Sequence, residues 1–450
     1  MSNNKQHKLS FFAIFSLIVG SLMGAGIFDI PQNIAHSSGA PAIIICWLIT
    51  ALGMLAMVLS MLYVNKTKPN IENGMYGYAK EGFGEKAAFN IAWGYWLSAN
   101  IGTMGYFLYI FSTLSNFKIF GFFANGNNLQ SLVCSTLLIW TMYFLICRGI
   151  KEASIINIII TTLKIASLIF ILLLFLHFFN LQQFIYNYQH DSHVNTKQLL
   201  QQVRNTMMVT VWDFLGIECA LVMSSIAKNK QDVRVATLLA LLLVIVITSS
   251  LSLLSLGILP TSIIAHLHTP STTSVLEHCL HSIAGIIAIA DFIRIAIIIC
   301  VLGAFLAWVL SASYILFEAA KDGTMPKIIN STNKHNVPHI ALLMTSIFLQ
   351  LGLIISFFTQ SIYIILIQIS SSMLLMPYLL TVIYACKLSI KKDGISFTRN
   401  NIINILAIIY VLWLLYAGGI FYFLITITFY LFGNIIYNYF FNNQTCHAND

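Results

Sequence analysis

The sequence predicts an all-α polytopic membrane protein with twelve transmembrane helices. The first observation is composition. Of 450 residues, 58% are hydrophobic and 8% are charged, with a mean hydropathy of +0.84. Soluble domains carry roughly 25% charged residues, so no soluble surface can be assembled from this chain. The second is run length. Apolar stretches lie at about 10–36, 40–63, 87–115, 129–147, 152–178, 205–226, 234–257, 284–316, 338–358, 361–386, 401–417 and 419–441, near the ~20 residues that a helix needs to cross a bilayer core. Barrel strands would alternate over about 10 residues instead. The third is charge placement. With the N-terminus inside, the cytoplasmic segments hold most of the 23 Lys and Arg. Lys118, Lys197 and Arg204 fall outside, and Lys164 and Arg294 lie within spans. This bias predicts that both termini are cytoplasmic. It also explains the net charge of +8 as topology rather than as a nucleic-acid surface.

Span 1 contains SLMGAGIFDIP, residues 21–31. Two glycines, an aspartate and a proline interrupt a run that is otherwise apolar. Each Gly costs about 1 kcal/mol against Ala in a helix, and Pro31 removes a backbone donor. Broken backbone at membrane depth survives only where protein or a water-filled cavity satisfies it. Free amides at such a break suit a carboxylate, a device of transporters built from inverted repeats. The competing reading is a glycine packing face, which fits GAG beside Asp29 and Pro31 less well.

Span 5 carries Lys164 in ITTLKIASLIF with no acidic residue beside it. It is either glue to backbone carbonyls or a built-in charge where related transporters bind a cation. Span 6 reads VTVWDFLGIECALVM, with one central glycine, Gly216, and two carboxylates, Asp213 and Glu218. Spans 1 and 6 would then open two five-helix halves, 10–178 and 205–386, followed by two further helices over 401–441. The whole chain reads as one membrane transport domain. A charge at the bilayer centre costs at least about 2.5 kcal/mol, so Glu218 is a candidate protonation site, against a structural hydrogen-bonded carboxyl. Asp213 either attracts cations from an outer vestibule or sits at the helix break. Asp29 is a second candidate for substrate charge.

In span 8, Asp291 and Arg294 at i, i+3 read as an ion pair. Trp308 lies deep in the same span beside Gly303, Ala304 and Ala307, which predicts a cavity wall, since Trp otherwise prefers the interface. Trp212 abuts the span 6 break. His266, His268, His278 and His281 cluster in the outer loop, but only Glu277 accompanies them, a weak metal signal. The eight cysteines form no CxxC pair and read as core residues. Lys5 and Lys8 precede a long apolar run without a small-residue cleavage site, which reads as a retained first span. No cofactor or metal is expected.

These segments together resemble the amino acid–polyamine–organocation superfamily, in particular its bacterial basic amino acid antiporters of the arginine/ornithine and arginine/agmatine type. The resemblance covers nearly the whole chain. It rests on GSLMGAGIFDIPQNIA, YGYAKEGFG followed by WGYWLSANIG, TLKIASLIF, VTVWDFLGIECALVMSSIAKN, LAWVLSASYILFEAAKDGTMPK and MPYLLT. It implies a 5+5 inverted repeat with spans 1 and 6 broken. It implies that amides of Gly24, Ala25 and Gly26 hold a substrate carboxylate, that Trp308 stacks on the substrate side chain and that Trp212 belongs to an outer gate. Ser98, Ala99, Thr103 and Ser370 match side-chain pocket positions, and Tyr95, Glu218 and Tyr378 match a thin gate. Lys164 matches a lysine that replaces sodium. Asp29, Thr103 and Asp213 depart from the usual residues, and the two carboxylates put strict arginine specificity in doubt.

The leading reading is an exchanger of a basic amino acid for ornithine or a decarboxylation product, working by alternating access in a bacterial inner membrane. Its partners would be amino acid or amine substrates and the lipid bilayer, with no nucleic acid. The resemblance extends to a homodimer, which no residue demonstrates. A proton-coupled uptake permease of the same fold shares every motif. A membrane-embedded enzyme or a nutrient sensor without transport is more remote, because neither a catalytic metal cluster nor a signalling domain is evident.

Overall fold

The computed structural model describes residues 10–71, 73–124, 126–149, 153–223, 228–280, 286–358, 362–394 and 396–447. Lys5, Lys8, Lys151 and His281, and residues 224–227 of the span 6 motif, lie outside them.

All regular structure among these residues is helical. Span 1 is split into α1 (Phe11–Leu22) and α2 (Ile30–Ala35), joined by a 3₁₀ turn over Gly26–Phe28. Pro31 stands in the first turn of α2, where a missing N–H costs nothing. There follow α3 (Ala40–Thr67), α4 (Gly74–Phe83), α5 (Glu85–Ser115), α6 (Leu129–Cys147) and α7 (Ala153–Phe178). The segment after α7 holds α8 (Leu181–Asp191), and span 6 is split into α9 (Thr196–Trp212) and α10 (Cys219–Met223). Next come α11 (Lys230–Leu256), the short α12 (Thr261–Ile264) and α13 (Ser271–Leu280), and the 36-residue α14 (Ile286–Lys321). The chain finishes with α15 (His339–Phe357), α16 (Ile362–Asp393), α17 (Arg399–Ala417) and α18 (Gly419–His447).

Nine helices among the described residues are long and apolar enough to cross a membrane. The three other expected spans are occupied by the two broken helices and by α5, which is 31 residues long. Several helices overrun the apolar runs. α3 continues to Thr67, α14 to Lys321 and α16 to Asp393, because their polar ends remain good helix formers once outside the hydrocarbon. The outer segments expected as loops are helical too. Asn180 accepts from the amides of Gln182 and Gln183 and starts α8. Asn195 and Gln198 form a reciprocal capping box that starts α9 nine residues before the expected span.

The chain divides into two compact units that do not follow the two sequence halves. The first comprises Met1–Leu55, Tyr106–Ser131 and Glu152–Phe305, and the second Ala56–Gly105, Leu132–Lys151 and Leu306–Asp450. Each therefore draws on both halves. In the first unit, α1 packs on α7 and α11, and α2 on α9, α11, α12 and α13. Buried hydroxyl pairs link α3 and its approach to α9: Thr50 with Thr210 at 2.7 Å and Ser38 with Thr206 at 2.5 Å.

In the second unit, α16 packs on α4, α17 and α18. Pro377 lies inside α16 and cannot donate to the carbonyl of Met373. The Tyr430 hydroxyl of α18 donates to that carbonyl at 2.9 Å instead. Gly94 on α5 makes this possible, because a Cβ there would overlap the Tyr430 hydroxyl oxygen. Asn404 is buried and accepts from Ser60 while donating to Ala385 and Ser389, joining α3, α16 and α17.

Candidate functional site

The first unit brings the two broken spans together. α1 ends at Leu22, and the amides of Ala25, Gly26 and Ile27 have no backbone acceptor among the described residues. α9 ends at Trp212, and the chain turns through Gly216 at φ +109° before α10. Only glycine adopts that conformation without strain. A Cβ at Gly216 would also stand 2.6 Å from the Ser21 carbonyl oxygen. The Ser21 hydroxyl donates to the Gly216 carbonyl at 3.1 Å and to Ile18 at 2.8 Å.

Close backbone approach explains the span 1 glycines. A Cβ on Gly26 would lie 2.5 Å from Trp212 Cδ1 and Nε1 and 2.9 Å from Asp213 Oδ1. A Cβ on Gly24 would overlap the hydroxyl of Tyr106. Tyr106 is a buried α5 residue that the sequence reading missed, since one tyrosine in YFLYIF carries no distinguishing signal. Ser21 was equally silent, although it stands within the motif.

Lys164, fully buried on α7, donates to the Gly20 carbonyl at 3.2 Å and to the Met23 carbonyl. Those carbonyls are freed where α1 unwinds, so the ammonium satisfies the break and gains partners for a charge that would otherwise be prohibitive. On the same helix, Thr161 and Asn157 donate to the Ser16 carbonyl at 3.2 and 3.5 Å. Glu218 is buried, and its Oε2 accepts from the Gly216 amide at 3.0 Å, inside the span 6 break. Asp213 is also buried, 3% exposed, and its Oδ2 has no hydrogen-bond partner among the described residues.

Asp29 is differently employed. Its carboxylate accepts from the Ser271 amide at 2.6 Å and the Thr269 hydroxyl at 2.9 Å, at the start of α13. Gln32 adds donation to the Leu267 carbonyl at 2.5 Å. Asp29 thus anchors the second half of span 1 to that segment. The expected Asp291–Arg294 pair is present at 3.1 Å, and Glu277 joins it at 2.6 Å, so buried Arg294 bridges two carboxylates. No group of three His, Cys, Asp or Glu among the described residues could hold a metal.

The second unit holds the other expected residues. Tyr95 and Trp308 stack with ring centroids 6.2 Å apart at 29°, and Tyr95 donates to Ser311 at 3.4 Å. The buried indole N–H of Trp308 has no partner among the described residues. Gly303, expected beside it and lying in the first unit, is a packing glycine whose Cβ would stand 2.6 Å from Ile160. Ser98 and Ser370 donate to each other's carbonyls at 2.8 and 2.7 Å, tying α5 to α16. Thr103 donates to Ala99 on its own helix at 2.6 Å, and Tyr378 is fully buried. Glu218 therefore belongs to one unit, and Tyr95 and Tyr378 to the other.

A family model described as "Amino acid permease" matches residues 9–445. The chain belongs to that family. This permease is 38% identical to an arginine/ornithine antiporter of Pseudomonas aeruginosa, over 97% of its own length and 92% of the relative's. It is 35% identical to an arginine/agmatine antiporter of Chlamydia pneumoniae, over 93% and 87% of the two chains. Among solved structures, it is similar to a Na+-coupled sialic acid symporter in a substrate-bound outward-open state, with TM-score 0.54 and 15% identity over 95% and 91% of the chains. That likeness concerns fold. The permease is a multi-pass membrane transporter of the LeuT-like architecture, and its matches are transporters rather than enzymes.

Proposed function

We propose that this permease exchanges a basic amino acid, arginine or lysine, for ornithine or a decarboxylated amine by alternating access. The observation that carries the reading is the meeting of the two breaks, where Ser21 donates to Gly216 while Lys164 takes the span 1 carbonyls. That arrangement leaves the Ala25 and Gly26 amides for a carboxylate. The relatives named for arginine exchange support the substrate class.

In this reading Gly24, Ala25 and Gly26 receive the substrate carboxylate and Trp212 gates it. Trp308, backed by Tyr95, stacks on the cationic side chain, a contact worth about 2 kcal/mol when desolvated. Ser98, Ala99, Thr103 and Ser370 shape the side-chain subsite, and Tyr95, Glu218 and Tyr378 close it from below. Lys164 makes sodium unnecessary, because a fixed ammonium already neutralises the freed carbonyls. The empty carrier leaves the polar groups of the break, the Asp213 carboxylate among them, without a ligand, which raises its barrier to reorientation and favours exchange over net uptake. The same reading assigns twelve spans, a 5+5 repeat over 10–178 and 205–386, both termini in the cytoplasm and residence in a bacterial inner membrane.

Ligand-induced stabilisation tests the substrate class. Arginine, ornithine and agmatine are expected to raise the thermal midpoint of the detergent-purified protein, since a ligand at 100 times its Kd adds about 2.7 kcal/mol. Alanine and glutamate are expected to leave it unchanged. Stabilisation by a neutral or acidic amino acid alone would contradict the assignment.

A further inference from the structure

Asp213 stands apart from the other membrane-embedded charges of the first unit. Lys164 holds two carbonyls, Asp29 holds Ser271 and Thr269, Glu218 accepts from Gly216, and Arg294 is paired twice. No ion pair among the described residues includes Asp213, and its buried Oδ2 has no hydrogen-bond partner among them. Its Oδ1 lies 2.9 Å from where a Cβ on Gly26 would stand. The carboxylate is thus set against the stretch of backbone whose Ala25 and Gly26 amides are open. A buried, unpaired carboxylate is costly unless a cation completes it.

We propose that Asp213 makes this permease favour a cationic amine lacking a carboxylate over the parent amino acid. The inference rests on the exchanger reading above, and the argument is one of charge. Both ligands bring an ammonium that the Asp213 carboxylate attracts, but only the amino acid brings a carboxylate that it repels. The Lys164 ammonium on the Gly20 and Met23 carbonyls is common to both complexes, so the difference between them at residue 213 remains. Neutralising residue 213 removes that repulsion and moves the preference toward the amino acid. At short range in a poorly solvated site, such a difference is decisive.

The test measures Kd for arginine and agmatine, and for ornithine and putrescine, on the purified wild type and Asp213→Asn. The ratio of amino acid Kd to amine Kd is expected to fall at least about tenfold in the variant. Asp213→Ser serves the same comparison should the amide variant not fold. Argininamide, which keeps the side chain and ammonium but not the carboxylate, tests the wild type alone and is expected to bind at least as tightly as arginine. An unchanged ratio, a ratio that rises, or a wild type that binds arginine tenfold tighter than argininamide overturns the inference and leaves the exchanger reading standing. A wild type that binds none of these cations overturns both.

Discussion

The Ser21 hydroxyl donates to the Gly216 carbonyl at 3.1 Å, so the break in span 1 and the break in span 6 are tied by one side chain. Gly216 can sit there only as glycine, because φ is +109° and the Ser21 carbonyl occupies the place of a Cβ. Gly216→Ala is expected to abolish exchange and to cost on the order of 2 kcal/mol or more of stability. Gly121→Ala, where a Cβ meets nothing within 4 Å, serves as the control and is expected to behave as wild type in both assays.

Asp29 and Asp213 are expected to separate experimentally. Asp29 is saturated by Ser271 and Thr269, so Asp29→Ala would leave a buried amide and a hydroxyl without acceptors, costing about 1–3 kcal/mol. Thermal unfolding should show that loss, and the ratio of arginine to agmatine affinity should remain unchanged. A shift in that ratio would return Asp29 to the substrate site.

Tyr430→Phe removes the donor that serves the carbonyl Pro377 leaves unpaired. The expected cost is about 1–3 kcal/mol in thermal unfolding, with KM for arginine unaffected. An unchanged midpoint would mean that the Met373 carbonyl finds another donor.

At the C-terminal end of α4, the hydrogen bond from Lys68 holds the Glu81 carboxyl below its ordinary value of 4.5, against the smaller opposing effect of burial. The native state then binds this proton less readily than the unfolded state. The contribution is present above the ordinary carboxyl range and is lost as pH falls through the lowered native value. Both side chains are more than a third exposed, at 37% and 41%, so it is small, under about 1 kcal/mol. Glu81→Gln is expected to lower the unfolding midpoint slightly at pH 7 and by less as the pH falls through the carboxyl range. An effect that does not change with pH across that range would contradict the ionic origin.

Much of the architecture was legible because its signals are one-dimensional. Gly24, Gly26, Asp29 and Pro31 interrupt an apolar run, and Gly216 does so again half a chain later. What stayed hidden depends on partners far along the chain. Asp29 looked like a substrate ligand because nothing local reveals Ser271, 242 residues away. The Tyr430–Met373 bond and the Tyr106 hydroxyl over Gly24 join aromatics that look like ordinary bilayer-facing residues. The outer helices were missed because Asn180 and Asn195 act through side-chain caps in polar sequence, where hydrophobic periodicity is silent.

The most direct test of exchange through the paired breaks is counterflow in proteoliposomes. Labelled arginine outside is expected to accumulate only in vesicles preloaded with arginine, lysine, ornithine or agmatine, and equally well when choline replaces sodium. Accumulation in empty vesicles that requires an imposed proton gradient would make the permease a symporter. A requirement for sodium, or no arginine uptake into any vesicle, would contradict the role given to Lys164 or the substrate class itself.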